Sequence, residues 1–157
     1  MHRSFKTRNP MALPEFEQCR ECCIEQLSGA SAMYAFIKEA HWNVKGVNAL
    51  DTHRYLDEVA DLMLAHADLM GERVVQLGGF AMVDPARVSL PGLTRTATTS
   101  PEWIAEIADN LASCIGLLHG HIGMTGEKGD LVTQNILLDM AQDAEKHLMF
   151  LEMTLQG

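Results

Sequence analysis

One predicted helix carries histidine and carboxylate side chains at helical spacing, and these side chains are of the types that form metal sites. Counted at 100° per residue, they fall within about 100° of one another around the helix axis, on a face separate from its apolar stripe. Imidazole and carboxylate donors suit iron, manganese and zinc. The residues concerned are His53, Asp57, Asp68 and Glu72.

These residues cannot share one ion within a single chain, because about 15 residues, or roughly 22 Å of helix, separate the first pair from the second. Their positions are instead symmetric about residues 62 and 63. If two copies of the helix pack antiparallel about a two-fold axis there, His53 faces the partner's Glu72 and Asp57 faces the partner's Asp68. The spacing predicts two equivalent metal sites per dimer, each shared by both chains.

The alternative for these residues is an ordinary solvated face, since acids and histidines commonly occupy the outer side of a helix. Asp61 lies on the same face, but its mirror position is Leu64, and we interpret it as a surface or dimer contact. A di-iron centre inside one bundle is disfavoured, because none of the seven histidines follows a Glu by three residues.

Four helices are predicted to position this face. Good helix formers run from Pro14 to Val44, and apolar residues recur at intervals of three and four from Leu50 to Leu77. Ser100 is predicted to cap a third helix that runs to Thr125, and Asp130 to cap a fourth that ends at Leu155. Residues 80–99 are predicted to form a long crossover with at most one short helical piece. This order is typical of an all-α, ferritin-like four-helix bundle.

Composition and charge describe one soluble globular domain, residues 14–157, behind a short, flexible basic arm, residues 1–13. The chain has 157 residues, 47% of them apolar and 21% charged, with a formal charge of −9. Residues 1–10 hold three basic side chains and no acid, so the remaining 147 residues carry −12. No segment offers the roughly 20 apolar residues of a membrane helix, and no apolar signal core follows Met1, so we expect a cytoplasmic protein.

The basic arm is a candidate for nonspecific contacts with DNA. Its cations, Arg3, Lys6 and Arg8, could reach phosphates that the acidic body would repel. The alternative is an ordinary, slightly basic N-terminus without a ligand.

Two further groups have the composition of metal ligands. Cys19 and Cys22 form a Cys-x-x-Cys pair beside Cys23, but no second pair follows at zinc-finger spacing, so we predict reduced thiols that are buried or at an interface. His119 and His121 are two residues apart on the third helix and project in different directions, so we predict surface residues, with a second metal site as the alternative.

The motifs on the first two helices closely resemble the signature of the Dps family, the DNA-binding proteins from starved cells, also called mini-ferritins. A weaker likeness continues near the C-terminus. The matching residues are His41-Trp42-Asn43-Val44-Lys45-Gly46, His53, Asp57, Asp68, Glu72-Arg73 and Leu77-Gly78-Gly79, then Asp130-x-x-Thr133 and Glu145-Lys146-His147. The resemblance implies a ferritin-like bundle with a short helix in the crossover, assembled as a hollow shell of twelve subunits.

The resemblance also implies a ferroxidase site at each dimer interface. His41, His53 and Asp57 of one chain would meet the partner's Asp68 and the partner's Glu72, with room for two iron ions and with zinc or manganese as substitutes. The family oxidises Fe(II), commonly with hydrogen peroxide, and stores ferric oxide in the shell, which protects DNA from oxidative damage. Family members often line an ion-entry pore with acids, for which Glu127 and Asp130 are the candidates here.

Three functions therefore stand as hypotheses for this chain. The first is an iron-oxidising storage enzyme built on His41, His53, Asp57, Asp68 and Glu72. The second is an architectural DNA-binding shell protein, associated with the nucleoid through its basic arm. The third is a shell protein whose site holds zinc or manganese and oxidises iron slowly.

Overall fold

Four long helices account for most of the described chain and confirm the predicted all-α, ferritin-like fold. The computed structural model describes residues 4–88, 90 and 94–156. Within them α1 spans Glu17–Asn43, α2 spans Ala49–Gln76, α3 spans Ser100–Glu127 and α4 spans Leu131–Leu155. Single 3₁₀ turns lie at Pro14–Phe16, before α1, and at Pro85–Arg87, in the crossover between α2 and α3. The predicted short helical piece of the crossover is therefore present.

The helices pack as two hairpins, α1 with α2 and α3 with α4. Apolar residues from all four helices form one buried core, because each helix presents an apolar stripe to the others. The largest fully buried side chains are Phe36, Ile24, Met33, Ile37, Leu56, Met70, Leu77, Ile107, Leu111, Leu137, Met140 and Leu151. Among the described residues, none of the helices has both the length and the apolar character needed to cross a membrane.

The predicted cap of α3 is wrong by one residue. Thr99, not Ser100, has extended backbone and caps the helix: its hydroxyl accepts from the Glu102 N–H, and the Glu102 carboxylate accepts from the Thr99 N–H at 3.0 Å. This is a capping box. The Ser100 side chain instead bonds to both backbone groups of Lys45, N–H and C=O, each at 2.7 Å. It thereby ties the start of α3 to the turn between α1 and α2.

A buried ion pair joins the end of α2 to the start of α4. Asp130 caps α4 as predicted, by accepting from the Thr133 N–H at 3.1 Å, and it also pairs with Arg73 at 2.7 Å. The Arg73 Nε donates to the Thr133 hydroxyl at 2.8 Å. Each polar group thus has a partner, which such burial requires. The Asp130 side chain is completely buried, so it serves the fold, and we do not retain it as a pore residue.

The described residues of the predicted arm lie against the body of the protein. The Phe5 N–H donates to the Gly78 carbonyl at 2.8 Å, and the Asn9 side-chain amide donates to the Gln76 carbonyl at 2.8 Å. The Phe5 and Phe80 rings meet edge to face at 5.5 Å. Gly78 has φ +78°, and a Cβ there would lie 3.1 Å from the Phe5 carbonyl oxygen, so this approach requires glycine. The arm therefore covers the end of α2.

Candidate metal centre

Two histidine rings stack where α1 ends and α2 begins. His41 lies in the last turn of α1 and His53 in the second turn of α2, and the short connection between them turns at Gly46, whose φ is +104°. The ring centroids are 3.6 Å apart with an interplanar angle of 23°. Each ring bonds to the other residue's backbone: His41 Nδ1 to the His53 carbonyl at 2.9 Å, and His53 Nδ1 to the His41 carbonyl at 2.8 Å.

These reciprocal bonds fix the chemistry of both rings. A carbonyl oxygen can only accept, so Nδ1 must carry the proton in each ring. In the neutral imidazole, Nε2 then holds a lone pair that is available to a metal ion. The backbone bonds therefore fix both rings and leave Nε2 of each as the nitrogen that could bind an ion.

Asp57 lies one helical turn after His53 and completes the cluster. Its Oδ1 is 3.2 Å from His41 Nδ1 and 2.6 Å from the Lys38 ammonium. The hydrogen bond from Lys38 is the main reason that the pKa of Asp57 lies below its ordinary value, and the two histidines lower that pKa further. The carboxylate is therefore ionised at neutral pH, as metal binding requires.

Together His41, His53 and Asp57 each offer one ligand atom, and these atoms lie within 4.8 Å of one another. Among the described residues no other group of three histidine, cysteine or acidic side chains comes this close. His41 is 6% exposed, while the other two ligands are half-buried, so the cluster is open on one side. The cluster could hold a metal ion, to which it would offer three donor atoms.

Asp68 and Glu72 do not join this cluster within the chain. Both are exposed on α2, several turns beyond Asp57. They line an open groove of about 1150 Å³ together with Asp61 and Leu64. Apolar side chains that are roughly half exposed border the same groove: Leu64, Val75, Met82 and Val83. This surface combines acids with apolar contacts, as an interface with a metal site would.

Lys38 is a feature of the site that the sequence analysis missed. It lies three residues before His41 on α1, so the helical spacing places both side chains on one face. That spacing is the signal that could have revealed it. Without a metal ion, its ammonium group is the cation that balances Asp57.

The other predicted residues lie away from this cluster. His119 is exposed and pairs with Glu145 at 2.7 Å, as a surface residue. His121 is not a surface residue: it is largely buried between α3 and α1, 2.9 Å from the Gln26 side chain and 3.1 Å from that of Glu25. The prediction that His121 is a surface residue is therefore wrong, because spacing along α3 does not show which residues pack against α1.

The predicted free, buried thiols are confirmed for Cys19, Cys22 and Cys23, all on α1. Glu127 is exposed at the end of α3, where it stays a candidate pore residue. Lys6 and Arg8 are exposed on the docked arm, and Arg3 lies outside the described residues.

Comparisons with known proteins agree with this architecture. A family model described as a ferritin-like domain matches residues 24–157. The chain is 32% identical over 139 residues to the DNA protection during starvation protein of Agrobacterium fabrum, with 84% of each chain covered. It is 25% identical over 134 residues to the protein of the same name from Brevibacillus brevis, covering 83% of this chain and 90% of the relative.

Two solved structures match nearly the whole chain. An archaeal Dps homologue from Halobacterium salinarum superposes with a TM-score of 0.84 at 26% identity, covering 90% of this chain and 81% of the other. Dps from Thermosynechococcus elongatus gives a TM-score of 0.84 at 25% identity, covering 92% and 94%.

Proposed function

This chain belongs to the ferritin-like family, among its Dps proteins, and we propose that it is a ferroxidase that oxidises Fe(II) at sites shared by two subunits. The oxidised iron is stored as ferric oxide inside a shell of twelve subunits. Removal of free Fe(II) and of peroxide protects DNA, in keeping with the name of its relatives.

The observation that supports this proposal is the open half-site of His41, His53 and Asp57. Three ligands leave an Fe(II) ion short of donors, and the missing donors have to come from outside the chain. Asp68 and Glu72 are exposed acids at the mirror positions of the same helix. Antiparallel pairing of α2 with its copy brings the partner's Asp68 and the partner's Glu72 to the cluster, and it covers the half-exposed apolar groove.

The chemistry follows from these ligands. Neutral imidazoles hold Fe(II) through Nε2, and carboxylates favour the harder Fe(III) that forms. Two Fe(II) ions each give one electron to one molecule of hydrogen peroxide, which takes up two protons and leaves as two molecules of water. Because both electrons are delivered at one site, no hydroxyl radical is released. The Lys38 ammonium balances Asp57 while no ion is bound, and a bound ion would take over that role.

Stopped-flow measurement of Fe(II) oxidation tests the ferroxidase proposal, with hydrogen peroxide and dioxygen compared at equal oxidising equivalents. We expect fast, peroxide-preferring oxidation by the wild-type protein and a loss of the fast phase in Asp68→Ala. Asp139→Ala is the matched control, because Asp139 is an exposed acid of α4 that belongs neither to the cluster nor to the groove. A wild-type rate equal to that of buffer would overturn the proposal. Zinc or manganese binding with slow iron turnover would favour the third hypothesis.

DNA contact through the arm is a second proposal, which the name of the curated relatives and the exposed Lys6 and Arg8 support. Twelve arms on one shell, each with Arg3, would act multivalently on phosphates. We expect binding that falls steeply with salt and is lost in the double variant Lys6→Ala, Arg8→Ala. Mobility-shift assays at 50 and at about 200 mM salt measure both. Binding that is equal in the variant would remove the arm from this role.

A further inference from the structure

A separate cavity lies inside the bundle, between all four helices. Its volume is about 220 Å³, and its walls are mainly apolar. Three sulfur-containing side chains, Met63 of α2, Cys114 of α3 and Met140 of α4, line it together with His66 of α2. None of the five proposed iron ligands contributes to it. The cavity is therefore a distinct site, and its use does not rest on the proposed ferroxidase activity.

His66 is the polar feature of this cavity that calls for a ligand. The residue is only 4% exposed, and its Nε2 is buried without a hydrogen-bond partner. A buried ring nitrogen without a partner costs free energy, which a bound polar atom would recover.

The lining restricts what that ligand can be. Burial raises the pKa of Cys114 to about 11, so its thiol is neutral, and the carboxylate among the lining residues, Glu25, is exposed at the rim. The two charged lining residues, Arg87 and Glu25, pair with each other at 3.6 Å, so an ionic ligand would lose its hydration without gaining a counter-charge. A metal ion is also disfavoured, because the described residues contain no third histidine, cysteine or acid close enough to complete a site with His66 and Cys114.

The size and the sulfur atoms point to an aromatic ring. An apolar cavity of about 150 Å³ is enough to bind benzene, so 220 Å³ accommodates a ring with one or two small substituents. Thioether and thiol sulfur atoms make favourable contacts with aromatic rings. A hydroxyl group on the ring would both donate and accept, and it would therefore satisfy His66 Nε2 in either tautomer.

We propose that this cavity binds a small, uncharged phenol, with the ring among Met63, Cys114 and Met140 and the hydroxyl bonded to His66 Nε2. Access is from the rim, where the crossover residue Arg87 lies 3.6 Å from Glu25 and 2.6 Å from Glu21 of α1. These ion pairs hold the crossover beside the opening.

Isothermal titration calorimetry of the full-length, assembled protein tests this site with two matched probes, p-cresol and p-xylene. The probes differ in one hydroxyl, which is replaced by a methyl group of similar size. One hydrogen bond corresponds to about tenfold in affinity, so we expect p-cresol to bind about tenfold more tightly than p-xylene. His66→Leu should remove this preference or reverse it in favour of p-xylene, because the hydroxyl would then be buried without a partner, while His119→Leu, which changes an exposed histidine, should keep the preference for p-cresol.

Two further measurements locate the bound probe. Ala144→Leu fills the cavity from α4, since Ala144 lines it and is 1% exposed, and it should abolish binding of both probes. If that variant does not fold, methyl NMR of the wild-type protein gives the same information, because p-cresol should shift the methionine methyl signals of Met63 and Met140. Equal affinity of the probes for the wild type, binding retained in folded Ala144→Leu, or unshifted Met63 and Met140 signals would each overturn the proposal.

Discussion

The two ends of α2 carry ligands of the same chemical types, but the fold prepares them in opposite ways. At the N-terminal end, His53 and Asp57 are held together with His41 by backbone hydrogen bonds and by Lys38. At the C-terminal end, Asp68 and Glu72 are exposed. A rigid half-site thus faces outward at one end, and exposed acids do so at the other. Under the proposed pairing, one chain carries both halves of a site that it cannot assemble alone.

The contacts that hold the two ends of α2 in place differ as well. A ring-stacked turn fixes the N-terminal end, whereas the C-terminal end is anchored from its inner face by Arg73 and covered by the arm at Gly78. The exposed acids therefore project from a helix end that is itself well fixed. Such anchoring keeps the separation of the two ligand pairs constant, which mirror pairing requires.

The largest effect expected from a single substitution is a loss of stability when the ion pair between Arg73 and Asp130 is removed. Asp130→Ala leaves the Arg73 guanidinium buried without its carboxylate and removes the cap of α4. We expect the free energy of unfolding to fall by about 3–5 kcal/mol. Denaturant titration followed by circular dichroism measures it, with Glu127→Ala, at an exposed position of the same turn, changing stability by less than about 0.5 kcal/mol. Equal effects of the two substitutions would contradict this role for the ion pair.

Removal of one ligand from either end of α2 should be equally damaging to oxidation. We expect His53→Ala and Asp68→Ala each to lower the initial rate of Fe(II) oxidation by about 100-fold, by analogy with the loss of groups that tune a metal site. Stopped-flow absorbance of the ferric product measures the rate, and size-exclusion chromatography verifies that the shell is intact. A loss confined to His53→Ala would show that the C-terminal acids do not contribute.

The arm is expected to stabilise the C-terminal end of α2 less than the buried ion pair of Arg73 and Asp130 does. Gly78→Ala introduces a Cβ at φ +78°, 3.1 Å from the Phe5 carbonyl oxygen, so we expect a loss of about 1 kcal/mol in stability and release of the arm. Gly116→Ala is the matched control: it lies inside α3 with nothing within 4 Å of the new Cβ, and it should stabilise by about 0.5–1 kcal/mol. Thermal denaturation compares the stability of the two variants with that of the wild type. If Gly78→Ala were as stable as the wild type, the docked arm would not matter to the fold.

The smallest expected effect is on the pKa of Asp57, which pairs with Lys38 at the N-terminal end of α2. Lys38→Met removes the main group that lowers the pKa of Asp57, so the pKa should rise toward its ordinary value of 3.8. Because the folded pKa is the lower one, the stabilisation exists above pH 3.8 and is lost as the pH falls through the folded value. NMR titration of the Asp57 carboxyl carbon measures the shift, and a midpoint unchanged by the substitution would contradict the contact.

Local patterns predicted the parts of this molecule that depend on local physics. Helix bounds were accurate to within about three residues, since propensity and capping act over one turn. Spacing along α2 grouped His53 with Asp57, and the family resemblance added His41, whose contact with His53 is made across a turn. These predictions needed no knowledge of packing between distant segments.

Apart from Lys38, whose spacing from His41 is local, the errors and omissions involve partners that are distant in sequence. The burial of His121 depends on Gln26, 95 residues away, and the docking of Phe5 depends on Gly78. The misplaced cap at Ser100 reflects the turn at Lys45, which recruits that hydroxyl. The cavity around His66 needs all four helices in place, so periodicity could show only a histidine on a buried face.

The central claim, that each site is shared by two subunits, is tested most directly by mixing two inactive variants. Shells assembled from equal amounts of His53→Ala and Asp68→Ala chains contain dimers with one intact site, which combines His53 of one chain with the partner's Asp68. With random pairing, half of the dimers are mixed, so we predict recovery of about a quarter of the wild-type oxidation rate. Shells of either variant alone should stay inactive. A mixed shell no faster than its parents would contradict the shared site.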